Sequence, residues 1–199
     1  MALLPVSPAP SSVNVSTVAQ NVTTFALNGR RQVKSQGSQY FKFDIEYPNM
    51  KQSDMLPIMA FLTAVKGQFD AFTVILPTVS DNQAGYTGGN PTVSTSGAIG
   101  DTTIAYSGAD SSTLLLKAGD FINFDGHGKS YMVTADHTSD GSGQGTISFT
   151  PGLITAVTSG DEINLTNIQF SVILDDDTTE FQFGLASIAR LQFTVREAF

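Results

Sequence analysis

A turn-plus-strand phrase is written twice in this chain. Gly119-Asp120-Phe121-Ile122-Asn123-Phe124 returns as Gly160-Asp161-Glu162-Ile163-Asn164-Leu165. Gly and Asp are turn residues for separate reasons, the first because it tolerates positive φ and the second because its carboxylate bonds nearby backbone. The surrounding stretch is rich in Gly, Ser, Thr and Asp and assembles no nucleophile, metal cage or phosphate loop. Short strands at turn-punctuated spacing are expected at Thr102–Tyr106, Thr113–Leu116, Phe121–Phe124, Ser130–Thr134, Gly145–Thr150 and Glu162–Leu165, the pattern of a small barrel or sandwich.

The flanking segments read as one other domain, split by that module. In Tyr40–Glu46, Phe41, Phe43 and Ile45 alternate with Lys42, Asp44 and Glu46, so one face is core and one is wet. A helix is expected over about 54–66, capped by Ser53 or Asp54, with Met55, Ile58, Met59, Leu62 and Val65 on the buried stripe and Gly67 ending it. A strand at Ala71–Leu76 stops at Pro77. Residues 78–100 then read as a long Gly/Ser/Thr/Asn loop or linker.

Beyond residue 166 the alternation returns at Phe170, Val172 and Leu174, then at Phe181, Phe183 and Leu185 after a turn at Asp175-Asp176-Asp177. It ends with Leu191, Phe193 and Val195. The expected organisation is an extended N-terminal arm over 1–24, a β-rich host domain with one helix over 25–78 plus 166–199, and an inserted small β-barrel over 79–165. The fold class is therefore mainly β: a split-barrel or β-sandwich host carrying an inserted all-β barrel.

Composition narrows function mostly by exclusion. With 199 residues, 41% of them hydrophobic, the chain is able to bury roughly 70% of its unfolded surface. There is no Cys, hence no disulfide, thiolate nucleophile or Cys-based zinc site. A formal charge of −8 argues against a surface built to hold nucleic-acid phosphate. The N-terminus shows no signal peptide and no apolar run approaches the ~18 residues of a membrane span, so no export and no membrane insertion are expected.

Candidate chemistry is thin. His127 and His137 lie ten positions apart in Gly/Asp-rich stretches without further zinc ligands and read as surface loop residues. Asp175-Asp176-Asp177 lacks the calcium-loop pattern and reads as a hairpin turn. Asp120, Asp125, Asp136 and Asp140 are turn carboxylates that do not single out a glycosidase pair. Gly85-Tyr86-Thr87-Gly88-Gly89 is not followed by Lys-Ser/Thr and fails as a phosphate loop. No catalytic, cofactor or metal residue is assigned, and no cofactor is expected. Two candidate surfaces remain. Arg30, Arg31 and Lys34, beside the hairpin-turn dipeptide Asn28-Gly29, form a basic patch suited to a solvated edge strand or to an acidic neighbour. Tyr86, Tyr106 and Tyr131 lie near loops and are candidate glycan contacts.

The order of these elements resembles a known family. Arg30-Arg31, the strand Tyr40–Pro48, a helix ending Phe61-Leu62-Thr63-Ala64-Val65-Lys66-Gly67, the link into Phe69-Asp70-Ala71-Phe72-Thr73-Val74 and the closing Leu191-Gln192-Phe193-Thr194-Val195 resemble tailed-bacteriophage distal tail and minor tail proteins. Leu116–Asp120, Tyr131–Thr134 and Thr150–Leu153 are similar to an insert of phage tail-tip proteins. An aromatic that is commonly Trp in that family falls at Tyr40 or Phe41 here. The resemblance spans roughly 25–77 and 101–197. It implies a non-enzymatic virion protein, a ring, typically hexameric, joining the tail tube to the receptor-binding apparatus. Its partners would be its own copies, the tube, hub and fibre proteins, and DNA only as cargo passing through the lumen. A carbohydrate-binding module, a glycan hydrolase and a tail-tube or terminator subunit are the competing expectations.

Overall fold

The structure is a computed structural model that describes residues 1–184 and 188–199, with the side chains of Gln36 and Ser38 left undescribed. The expected strand at Phe181, Phe183 and Leu185 is therefore described only as far as Phe183, and Leu185 lies outside the described residues.

The chain is mainly β, with one helix. Strands β1 (Ala2–Leu3), β2 (Ser12–Phe25), β3 (Arg31–Glu46) and β4 (Met50–Lys51) precede helix α1 (Gln52–Val65), and β5 (Phe72–Ile75) follows it. The inserted stretch holds β6 (Thr92–Val93), β7 (Thr103–Ser107), β8 (Leu114–Leu116), β9 (Phe121–Phe124), β10 (Ser130–Val133), β11 (His137–Thr138), β12 (Gly145–Thr150) and β13 (Ile163–Asn164). The chain then returns through β14 (Gln169–Leu174), β15 (Phe181–Phe183) and β16 (Ile188–Glu197).

The host sheet runs β1-β5-β14-β16-β3-β2. Its central strands alternate: Phe41, Phe43 and Ile45 on β3 and Leu191, Phe193 and Val195 on β16 are buried on one face. Helix α1 covers that core with Met55, Ile58, Leu62 and Val65. It starts two residues earlier than expected. Lys51 occupies the cap without a side-chain hydrogen bond, and Ser53 donates to Asp54 at 3.1 Å instead of capping. Lys66 takes the left-handed cap conformation at φ 58°, with Gly67 next at φ 67°. A Cβ on Gly67 would lie 2.9 Å from the Cα of Asp177, so Gly is demanded there by close approach as well as by φ.

The inserted six-stranded sheet runs β13-β9-β10-β12-β7-β6 and nearly closes into a barrel. Its two ends meet where Val93 N–H donates to the Asp161 carbonyl at 2.9 Å and Ile163 N–H to the Pro91 carbonyl at 2.9 Å. The repeated phrase proves to be a threefold device. Lys117–Asp120, Thr158–Asp161 and Ala98–Asp101 each place a Gly at φ +93° to +100° in the third position. Each Asp carboxylate accepts the N–H of the first residue, at 2.8, 2.7 and 2.7 Å. Positive φ at that position defines the type II turn, and the Asp satisfies a donor that the turn itself leaves open.

Three expectations need correction. The N-terminal segment is not a free arm: β1 pairs in parallel with β5, Leu4 is buried, and β2 pairs with β3 along its length. Residues 78–100 are a loop for most of their length but not a linker, because Tyr86, Pro91 and Val93 are buried and β6 completes the barrel. Asp175-Asp176-Asp177 does not turn a hairpin, since β14 and β15 each pair with β16 rather than with each other.

The two cores are fused at β9 and β10. Phe121 packs in the host core, edge-on to Phe41 at 5.0 Å and to Phe170 at 5.1 Å, while Ile122 and Phe124 belong to the barrel core. Strand alternation thus lets one strand serve both cores, which is why all four residues of β9 are buried. At the neck, the Ser80 hydroxyl accepts from Leu76 N–H and donates to the Ile168 carbonyl, both at 2.8 Å, tying the outgoing and returning strands together.

A buried ion pair locks the same junction. Lys129 and Glu197 are fully buried side chains in direct contact. The Glu197 carboxylate also accepts Ser130 N–H at 2.9 Å and Phe41 N–H at 3.1 Å. Lys129 Nζ lies 5.0 Å from the Phe41 ring centroid and 4.5 Å from that of Phe199. Burial pushes the Glu197 carboxyl up and the Lys129 ammonium down, while their attraction opposes both shifts.

Candidate assembly interface

The longest paired segment in the protein extends past its own core. Strands β2 and β3 pair in register from Ser12↔Glu46 to Phe25↔Arg31, with an irregularity between Ala19 and Asn21. Near the body, Val13 packs on the host core and Phe41, Phe43 and Ile45 lie within it. Beyond Val18↔Tyr40 the ribbon leaves its own core: among the described residues, Ala19–Phe25 and Leu27–Ser35 are all exposed. From Ala19 to Phe25 this outer part reaches roughly 20 Å at strand rise.

The tip is closed as the Asn28-Gly29 dipeptide predicts. Ala26 N–H donates to the Arg30 carbonyl at 3.0 Å, Gly29 N–H to the Ala26 carbonyl at 2.8 Å, and Arg30 N–H to Asn28 Oδ1 at 3.1 Å. Gly29 sits at φ 77°, a conformation that disfavours any side chain with a Cβ. At the root, Gln39 donates to Thr17 Oγ1 at 2.9 Å, and the Thr150 hydroxyl of the barrel donates to Gln39 Oε1 at 3.4 Å.

Both faces of the ribbon carry apolar groups beside cations. Phe25 opposes Arg31 on one face, and Val22 opposes Lys34 on the other. Phe25 is 71% exposed, and Val22, Leu27 and Val33 are exposed as well. Arg30, Arg31 and Lys34 all lie on this arm, and none enters an ion pair among the described residues. The basic patch therefore sits on an edge hairpin, as its sequence implies. What the sequence pattern hid is that β2, read as part of an extended N-terminal arm, is the other half of it.

The second candidate surface does not exist as a surface. Tyr86, Tyr106 and Tyr131 are 6%, 1% and 0% exposed and belong to the barrel core. Each hydroxyl is used internally. Tyr86 donates to the Gly89 carbonyl at 3.1 Å, Tyr131 accepts from Ile154 N–H at 3.3 Å, and Tyr106 meets His137 Nε2 at 2.7 Å. Their rings are not available to stack on a sugar. Parity carried the signal: Tyr106 shares the inward face of β7 with Ile104, and Tyr131 that of β10 with Val133.

Of the two histidines, His127 lies half-buried in a loop after β9, whereas His137 is not a loop residue. His137 lies on β11 and is partly buried against Tyr106, and burial pushes it below its ordinary value. The Tyr106 hydroxyl is pushed up to about 12, chiefly by its own burial, and so stays protonated beside Nε2. A depressed folded-state value means that the unfolded chain binds the proton more readily. Stability from this contact is full above the ordinary histidine value of about 6.5 and declines as pH falls below it. Thermal unfolding from pH 7.5 to 5 is expected to show an acid-side loss in the native chain that His137→Gln lacks. Identical slopes in the two proteins would contradict this.

Among the described residues no cluster of three or more His, Cys, Asp or Glu could hold a metal ion, and no helix is long and apolar enough to cross a membrane. In comparisons with known proteins, no family model and no curated protein matches the chain.

Proposed function

We propose that this protein is a structural, non-catalytic subunit of a bacteriophage tail, assembling as a ring at the distal tail that connects the tube to the tip or receptor-binding apparatus. Six copies is the ring size implied by the family it resembles. The observation that carries this reading is the two-sided, apolar and basic hairpin arm. An isolated two-stranded ribbon is at best marginally stable in water, and one bearing exposed Phe25, Leu27, Val22 and Val33 gains from being covered. Burying each such side chain contributes about 1.5–3 kcal/mol, so assembly stabilises the arm and the arm stabilises assembly. The net charge of −8 suits a ring through which DNA passes without adhering. A tail-tube or terminator ring uses the same device and differs only in its place in the particle. No observation favours glycan binding once the three tyrosines are buried.

The test is a variant in which residues 19–39 are replaced by Asn-Gly, joining Val18 to Tyr40 through a tight turn. No residue of 19–39 belongs to the host core, so the variant is expected to fold and to sediment as a monomer where the native chain forms rings. Rings from the shortened chain, of the same size and affinity, would remove the arm from assembly.

A further inference from the structure

The charge of this chain is divided sharply along its length. Residues 1–43 contain Arg30, Arg31, Lys34 and Lys42 and no Asp or Glu, a formal +4; the whole chain is −8, which leaves −12 on residues 44–199. Lys42 is already matched, 2.7 Å from Asp175. The other three cations are carried outward on the arm, away from the acidic body of their own copy. A second copy offers that acidic body.

We propose that the arm of one copy docks head to tail along the outer face of β15 and β16 of the next. This rests on the ring reading above. That face holds an open groove of about 600 Å³, lined among others by Asp176, Glu180, Gln182, Gln192 and Thr194. Asp176 and Glu180 are exposed and enter no ion pair among the described residues. The groove's single cation, Arg190, is turned to Asn49, to whose Oδ1 its Nε donates at 3.4 Å.

Two features of the groove match the ribbon. Among the described strands β15 pairs with β16 alone, so its other edge is open to a further strand. Arg30 and Arg31 at the tip complement Asp176 and Glu180. Because arm and groove are different surfaces, the contact propagates in one direction, as a closed ring requires. Such a contact weakens with salt, since screening shortens from about 10 Å at 0.1 M to about 3 Å at 1 M.

The experiment uses two full-length variants, Arg30→Glu/Arg31→Glu and Asp176→Lys/Glu180→Lys, with mass read by sedimentation at 0.1 M salt and folding checked by circular dichroism. Each alone is expected to assemble at least tenfold more weakly than the native chain. Mixed in equal amounts they are expected to reassemble, because each one's arm now opposes the other's groove in charge. Unfolded chains could not give that rescue. If both variants assemble like the native chain, or if the mixture of two folded variants fails to recover, the docking is wrong while the ring reading stands. If the native chain itself stays monomeric, both fall.

Discussion

Lys129→Met is expected to lower the folding free energy by about 3–5 kcal/mol, the usual cost of stranding one member of a buried ion pair. Glu197 stays in place, fully buried, with Ser130 N–H and Phe41 N–H still donating to it but without its counter-charge. Against a total stability of about 5–15 kcal/mol the loss is large. Adding Glu197→Gln is expected to recover most of it, since a neutral amide oxygen still accepts a backbone N–H and no charge remains buried.

The pH dependence of the single variant has a definite sign. Burial already pushes the Glu197 carboxyl up, and losing Lys129 pushes it further. A carboxyl raised in the folded state favours the protonated fold, so its stability is full below about 4.5 and falls as pH rises through the folded value. The deficit of Lys129→Met relative to the native chain is therefore expected to shrink on acidification from pH 7. Urea unfolding at several pH values reads it. A deficit below about 1 kcal/mol at pH 7, or one that grows in acid, would show that the pair does not pin the barrel to the host sheet.

Gly143→Ala is expected to cost about 3 kcal/mol or more, from two sources. Gly143 sits at φ 72°, where a non-Gly residue costs about 1–2 kcal/mol. The added methyl would overlap the Ala109 carbonyl oxygen, a backbone atom that cannot turn aside. The same turn holds Ala109 N–H to the Gly143 carbonyl at 3.1 Å, so relief of the overlap breaks a bond. Gly141 is the internal control: it has open space around its Cβ position and no positive φ, and Gly141→Ala is expected to stay within about 0.5 kcal/mol. Equal melting temperatures for the two variants would contradict the account of this turn.

What could be read from the sequence was whatever obeys a local rule. Period-two alternation gave β3 and β16 their inward faces, and helical spacing gave α1 its stripe of Met55, Ile58, Leu62 and Val65, with Met59, expected beside them, only half-buried. Asn28-Gly29 closed its hairpin as such a dipeptide should. Pairing partners were not legible, because they depend on distant segments. The polar, nearly uncharged Ser12–Phe25 has no apolar face to announce a strand, and it is ordered by β3. Lys129 and Glu197 were missed for a different reason. Glu197 continues the inward parity of Leu191, Phe193 and Val195, so a carboxylate at a core position was the available signal. The tyrosines were placed near loops by composition, although their parity with Ile104 and Val133 put them inside. The third Gly-Asp turn, at Ala98–Asp101, went unread because the strand after it does not repeat the other two.

The most direct test of the central claim is the mass of the full chain by light scattering over a concentration series, followed by negative-stain images of the largest species. The account predicts a concentration-dependent rise to one closed ring, six-fold in projection. A chain that remains a monomer at the highest concentration, with the β2–β3 arm intact, would contradict it.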